Sequence, residues 1–365
     1  MVTAKAPGKL YIAGEYAVVE TGFPAILVAL NQFVTVTIED AAQYGSIISH
    51  QYQENSLYWR RDGDELVFDN RDNPFHYILS AIRLTEKYAR ECGKPLGLYN
   101  LEVDSDLDSA DGKKYGLGSS AAVTVATVKA LNEYYALGMG PENVYKLAAI
   151  AHLDVQGNGS LGDIAASVYG GWLAYQSFDK EWLASARRRH TLTELLQMPW
   201  PQLNIELLQA PTNMRLMIGW TGSPASTSRL VDKIADAKSE QWGEYSRFLE
   251  GSRSVLQGMI EAFHNADIRG IQDGLRANRI LLASLADLSG VQIETPALTK
   301  LRSLAEQAGG AAKSSGAGGG DCGIVLIDRG IDTTNLLAQW AAAQIEPLPL
   351  RVHEVQDSEF HPVRG

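Results

Sequence analysis

Between Gly112 and Ala126 the sequence reads GKKYGLGSSAAVTVA, which puts three glycines, two serines and two lysines into the nine residues Gly112–Ser120, just ahead of a strongly helical run. The free amides and positive dipole end of a helix N-terminus form an anion site, and glycine lets a phosphate approach the backbone closely. Ser119 and Ser120 add hydroxyls, and Lys113 and Lys114 add charge. The competing reading is an ordinary helix cap, because serine is a favoured N-cap and glycine a common neighbour. Convergence of so many such residues favours the anion site. It is not a Walker loop, since the GK pairs at Gly8, Gly93 and Gly112 are not followed by Ser or Thr. Nor is it a dinucleotide fingerprint, since GLGSSA lacks the third glycine.

Two further glycine-rich stretches carry polar groups. In HLDVQGNGSLGDIAASVYGG, from His152 to Gly171, Ser160 and Asp163 follow a flexible turn and precede a run of small residues. Asp163 reads either as an N-cap or as a carboxylate, kept ionised by a helix N-terminus, that could orient or deprotonate an acceptor hydroxyl. In AAKSSGAGGGDCGIVL, from Ala311 to Leu326, five glycines and two serines stand between a helix and a strand. That is either a plain flexible loop or a second loop closing over anionic groups. A shorter element, GWTGSPASTSRLV, sets Ser223, Ser226, Thr227, Ser228 and Arg229 at the start of a helix. Capping accounts for one of those hydroxyls, not all of them.

The 365 residues, 45% hydrophobic and 21% charged, suffice for two folded domains. A formal net charge of -11 argues against a nucleic-acid or anionic-membrane partner, so any anionic ligand must be held locally. Cys92 and Cys322 have no paired spacing, which supports neither a disulfide framework nor a zinc cluster and fits a reducing cytoplasm. No apolar run reaches the roughly 18 residues of a membrane span, and no signal-peptide pattern opens the chain.

The elements that must position these groups follow from periodicity. Strands are expected at Val2–Ala6 and Leu10–Ala13 with a turn at Pro7–Lys9, then at Gln32–Glu39, Gly45–Ser49 and Glu65–Asp69. A helix over Pro74–Cys92, a strand at Leu98–Val103 and a polar loop over Asp104–Lys114 come next. Helices are expected at Ser119–Leu137, at Pro141–His152 and from near Asp163, then a strand at Gly171–Gln176. Ser177–Pro201 reads as the connection between halves, its arginines Arg187–Arg189 as a solvated face. The second half restarts with strands at Ile205–Leu208 and Leu216–Gly219. Helices at Ala225–Ala237, Gln241–Ala266, Ile268–Ala286 and Pro296–Ala308, a strand at Cys322–Ile327 and a helix at Asp332–Ala343 complete an α+β pattern.

Taken together, KAPGKLYIAGEYAVV near the N-terminus, GLGSSAA in the middle and KSSGAGGGDCG near the end resemble the three motifs of the GHMP small-molecule kinases. Within that superfamily, QGNGSLGDIAASVYGG and the GWTGSPASTS element most resemble the branch whose acceptor is 5-phosphomevalonate. The resemblance implies the α+β GHMP kinase fold. Residues 1–185 would form an N-terminal domain like domain 2 of ribosomal protein S5, and residues 186–365 a ferredoxin-like C-terminal domain. ATP and substrate would lie in the cleft between them. It further implies transfer of the ATP γ-phosphoryl group to the phosphate of (R)-5-phosphomevalonate, in the mevalonate route to isoprenoids.

Carried over position by position, Lys9 and Asp163 flank the transferred group. Lys113 and Gly116, Leu117, Gly118, Ser119 and Ser120 hold the ATP phosphates, with a serine hydroxyl, Ser120 above all, helping to place Mg²⁺. The acceptor falls to Lys9, Lys114, Ser160, Ser226, Ser228, Ser315, the backbone of Ala317 and Gly318. Arg229 and Lys313 are either further phosphate contacts or members of exposed salt bridges. Mevalonate kinases carry a glutamate before the catalytic aspartate turn; here that neighbourhood holds His152 and Asp154 and no glutamate. Mg²⁺ is then expected to be held mostly by ATP phosphates, water and a serine. A phosphate acceptor, whose second pKa is about 6, has no hydroxyl proton to lose at neutral pH, which makes Asp163 an orienting group or a partner of Lys9 rather than a base.

The same scaffold also serves mevalonate kinase and diphosphomevalonate decarboxylase. A dinucleotide-binding oxidoreductase lacks its strand-to-helix GxGxxG here, and a silent ligand sensor would not need both Lys9 and Asp163.

Overall fold

The computed structural model describes residues 1–49, 56–63, 65–69, 74–107, 115–222 and 227–354, without the side chains of residues 227–229, 231 and 237. Its first unit is built on an eight-stranded sheet. The strands are β1 (Val2–Ala13), β2 (Pro24–Asp40), β3 (Gly45–Ser49), β4 (Leu57–Asp62), β5 (Glu65–Phe68), β6 (Tyr99–Ser105), β7 (Trp172–Gln176) and β8 (Asn204–Leu208). They run in the order β5-β4-β3-β6-β2-β7-β8, with β1 also paired to β2.

The long β2 begins eight residues before the expected strand. Its first stretch, Ala25–Leu30, is apolar without alternation because both faces are buried there. The expected turn at Pro7–Lys9 is corrected: β1 is one strand, and its register against β2 shifts between Pro7, opposite Phe33, and Lys9, opposite Ala29. Proline has no amide to donate, so an irregularity in the ladder suits it.

Four helices cover one face: α1 (His76–Glu91), α2 (Ser119–Tyr134), α3 (Pro141–Gln156) and α4 (Gly162–Tyr169). The alanines Ala121, Ala122 and Ala126 are fully buried, and their small side chains let α2 lie close over β1 and β2. Most of the expected loop before α2, residues 108–114, lies outside the described residues.

The segment expected to join the halves belongs to the first unit. It holds two short helices, α5 (Lys180–Ala186), capped by Asp179, and α6 (Leu192–Gln197), closed by a Thr191–Glu194 capping box. Arg187 forms a two-pronged pair with Asp154 at 2.6 and 2.7 Å. The strand expected to restart the second half is corrected as well: β8 pairs antiparallel with β7 at the edge of the first sheet.

The second unit has a four-stranded antiparallel sheet of β9 (Met214–Trp220), β10 (Ala311–Ser314), β11 (Cys322–Asp328) and β12 (Glu346–Leu348), in the order β10-β11-β9-β12. Between β9 and β10 run α7 (Thr227–Glu240), α8 (Trp242–His264), α9 (Ile268–Ser289) and α10 (Pro296–Gln307), and α11 (Thr334–Ala342) precedes β12. That is the βαββαβ order of a ferredoxin-like unit, the helices between β9 and β10 filling its first crossover. The first residues of the third glycine motif, read from sequence as loop, are the strand β10.

The chain then returns to the first sheet, where the amides of Asn31 and Gly171 donate to the carbonyls of Arg351 and His353 at 2.9 and 2.7 Å. Cys92 is exposed and Cys322 buried, both as free thiols. No described helix is long and apolar enough to cross a membrane.

Candidate active site

The second glycine motif opens α2 with Gly118 as its N-cap at φ 82°, so Ser119 and Ser120 are the first two helical residues and neither acts as the cap. The capping reading is thereby set aside, and no side chain among the described residues caps the helix end. Gly116 and Gly118 both take the left-handed backbone that glycine adopts at least cost. Lys9 fits against this loop. Its amide donates to the Leu117 carbonyl at 2.8 Å and its Nζ to the Gly116 carbonyl at 3.3 Å. A Cβ on Gly118 would come within 2.9 Å of the Lys9 Cε, so the bare glycine makes room for the lysine stem.

The turn before α4 places the second set of groups. Leu161, at φ 66°, is the N-cap and Asp163 the second helical residue, so the capping reading fails here too. Ser160 is fixed from three sides: its Oγ meets the Tyr11 hydroxyl at 2.6 Å and the Gly162 amide at 3.2 Å, and its carbonyl accepts from the Tyr175 hydroxyl at 2.6 Å. Burial, and next the Asp163 carboxylate, push the phenols of Tyr11 and Tyr77 above their ordinary range.

The third motif comes from the other unit. The Ser315 Oγ donates to the Tyr11 carbonyl at 2.7 Å, and the Tyr16 hydroxyl donates to the Ala317 carbonyl at 2.5 Å. These contacts close a cavity of about 440 Å³. Lys9 enters it from β1; Gly116, Gly118, Ser119 and Ser120 from the α2 loop; Ser160 and Asp163 from the α4 turn; Ser315 and Ala317 from the third motif.

Some expected residues fall elsewhere. Leu117 is buried beneath the loop and contributes through its carbonyl. Gly318 is not among the residues that line the cavity; its φ is 72°, and a Cβ there would meet the Ile293 carbonyl. Lys313 is neither a phosphate contact nor an exposed salt bridge: it is 1% exposed and pairs with Glu15, itself 3% exposed. Lys113, Lys114 and Ser226 lie outside the described residues, as do the side chains of Ser228 and Arg229.

Sequence reasoning missed the cavity's other walls. Tyr11, Glu15 and Tyr16 line it from within the first motif, and Tyr77 lines it from α1 with no local signal; His152, which its sequence setting makes a packed helix residue, is buried in α3 and borders the cavity too. His152 Nε2 lies 3.3 Å from the Ser120 Oγ, and its ring stacks on Tyr77 at 4.8 Å between centroids. Burial holds the His152 imidazole below its usual pKa, against the opposing pull of Asp163. A wider groove of about 930 Å³ beside β5, α1 and α3 carries Phe68, Arg83 and Asp154 but none of the motif residues. The smaller cavity therefore gathers the motif residues: one lysine among the described residues, helix-end amides, hydroxyls and the carboxylates of Glu15, Asp163 and Asp321, with the lysine, amides and hydroxyls the kind of group that positions and neutralises phosphate.

Comparison with known proteins agrees with this chemistry. Residues 76–171 match the family model described as GHMP kinases N terminal domain, and residues 259–345 the one described as GHMP kinases C terminal. The chain is 39% identical over 361 residues to a phosphomevalonate kinase of Streptomyces sp. (strain CL190), covering 96% of each. The fold matches the Lin0012 protein from Listeria innocua with a TM-score of 0.91 at 40% identity, over 97% of this chain and 98% of that one. It also matches Streptococcus pneumoniae phosphomevalonate kinase in complex with phosphomevalonate and AMPPNP, with a TM-score of 0.82 at 30% identity, over 97% of this chain and 100% of that one.

Proposed function

The chain belongs to the GHMP kinases, and from that premise we propose that it is a phosphomevalonate kinase. It transfers the γ-phosphoryl group of ATP to the phosphate of (R)-5-phosphomevalonate, giving (R)-5-diphosphomevalonate and ADP in the mevalonate pathway. The observation that carries this reading is the full-length likeness to phosphomevalonate kinases, one of them solved with phosphomevalonate and an ATP analogue.

In this reading the loop Gly116–Ser120 holds the ATP phosphates through the amides at the start of α2, with Lys113 alongside. Phosphoryl transfer spreads charge over the equatorial oxygens, so catalysis is positioning plus neutralisation. Lys9, braced on the Gly116 and Leu117 carbonyls, supplies the positive charge. Asp163 orients the acceptor phosphate or Lys9. The acceptor end takes Ser160, Ser315 and the Ala317 backbone, and the same reading assigns Lys114, Ser226, Ser228 and Gly318 to the acceptor.

A divalent cation would meet oxygen donors, the Ser120 hydroxyl and the Asp163 carboxylate, on the cavity wall. Among the described residues no group of three His, Cys, Asp or Glu gathers. Those donors fit Mg²⁺ that keeps most of its phosphate and water ligands, with Ser120 as the protein's contribution. When bound, the ion neutralises charge on the transferring group.

We divide the chain into two units with the boundary after Leu208 rather than after residue 185, a division that the β7–β8 pairing supports. A cytoplasmic location belongs to the same reading and is supported by the free thiols of Cys92 and Cys322.

The test is an acceptor panel. Purified protein receives ATP, Mg²⁺ and, in turn, mevalonate, 5-phosphomevalonate, 5-diphosphomevalonate, galactose and homoserine, and ADP and CO₂ are followed. ADP with 5-phosphomevalonate and no CO₂ is expected. Turnover with another acceptor instead would overturn the assignment and leave the fold intact.

A further inference from the structure

The third glycine motif is stitched to the first by alternate residues. The Lys313 Nζ donates to Glu15 Oε1, the Ser315 Oγ to the Tyr11 carbonyl at 2.7 Å, and the Tyr16 hydroxyl to the Ala317 carbonyl at 2.5 Å. Each stitch spans about 300 residues of sequence, and each ends close after Lys9 on the strand and turn that carry it. The first stitch differs in kind from the other two. It is a buried ion pair, Lys313 at 1% and Glu15 at 3% exposure, and the ammonium is further tied to the Ser314 carbonyl at 2.6 Å.

Folding does not require charge in this place, since an apolar pair of similar volume commonly stabilises a core as well or better. What the ionic pair adds is direction. Two fixed hydrogen bonds from one ammonium set the backbone of Ser314, and with it the start of Ser315–Ala317, at one spacing from β1. The other Glu15 oxygen, Oε2, is buried and has no hydrogen-bond partner among the described residues, and Glu15 belongs to the cavity wall. Burial pulls the Lys313 pKa down and the Glu15 carboxylate opposes it, consistent with a charge retained through its partner.

We propose that Lys313, acting through Glu15, is a positioning residue that sets the third glycine loop against the Lys9 strand and so controls affinity for the phosphorylated acceptor. Neither side chain takes part in phosphoryl transfer. The naming of the acceptor rests on the phosphomevalonate kinase reading; the positioning itself does not. ATP is expected to be indifferent, because the α2 loop is anchored within the first unit by the Lys9 amide.

The experiment separates positioning from stability. A misplacement of about 1 Å can cost on the order of 10²-fold. Lys313→Met is expected to raise KM for 5-phosphomevalonate about tenfold or more, while KM for ATP stays within about twofold. The double variant Glu15→Leu with Lys313→Met is expected to recover the melting temperature while keeping the raised acceptor KM. A double variant with wild-type acceptor KM, or a loss shared equally by ATP and acceptor, would overturn the proposal. If neither variant folds, Glu15→Gln, nearly isosteric, decides by the same split. Should the wild type turn over a different acceptor, the functional reading fails on its own, and the split is then read on that acceptor.

Discussion

The Lys9 amide donates to the Leu117 carbonyl at 2.8 Å while its side chain passes over the bare Cα of Gly118. One hydrogen bond thus fixes the only lysine that lines the cavity, among the described residues, to the loop that opens α2. In the proposed reaction the cation and the helix-end amides would meet one phosphate from fixed positions, with no reorganisation as charge develops.

From that relationship, Lys9→Met should lower kcat by about 10²- to 10³-fold, the usual effect of removing one preorganised charge-stabilising group. Asp163→Asn should cost about tenfold and leave the pH profile unchanged in shape above about pH 6.5, because the acceptor phosphate is already deprotonated there. Steady-state kinetics of both variants across that range checks this. A loss at Asp163→Asn as deep as at Lys9→Met, with a new pH dependence, would make Asp163 a base.

The third motif offers a contrast between two glycines in the same backbone region. Gly316, at φ 75°, has open space where a Cβ would stand, whereas at Gly318, φ 72°, that space is filled by the Ile293 carbonyl. Gly316→Ala should cost about 1–2 kcal/mol for the left-handed backbone alone. Gly318→Ala should cost at least about twice as much, since backbone must also move. Denaturant unfolding of the two variants compares them directly, and equal losses would refute the packing argument.

His152 gives a pH dependence. Its folded-state pKa lies below the usual value of about 6.5 because of burial. The unfolded chain therefore binds the proton at higher pH than the folded one. This contribution to stability is complete above about pH 6.5 and is lost as pH falls below it, with a slope of at most about 1.4 kcal/mol per pH unit. His152→Gln should flatten the melting temperature between about pH 7 and pH 5 relative to wild type; an unchanged slope would show that His152 does not titrate differently on folding.

Ser120→Ala removes the hydroxyl assigned to the metal. The variant should need several-fold more Mg²⁺ for half-maximal rate and bind Mn²⁺ correspondingly more weakly by direct titration, with little change in melting temperature, since Ser120 is not the helix cap. Unchanged metal affinity would remove Ser120 from the site.

Much of this molecule is legible in one dimension because it rests on short-range physics. Gly116, Gly118, Ser119 and Ser120 announce a glycine-led helix start, since left-handed glycines and helix-end amides depend on residues a few positions apart. Asp163 and the serine-glycine run at Ser314–Gly320 are visible for the same reason. Pairing over long range was not legible. Strand β8 reads as the start of a second half until its hydrogen bonds to β7 are seen.

The sequence by itself determined the kinds of group present, their order along the chain and the local turns that expose them. Only the tertiary structure decided which of them meet: Lys9 on the α2 loop, Tyr11 on Ser160, and Lys313 on Glu15, 298 residues away. The physical reason is burial. A lysine in a flexible-looking loop is a surface charge by its sequence, and it becomes an interior one only when the third motif docks on the end of β1 and the turn after it, where the Glu15 carboxylate is its partner.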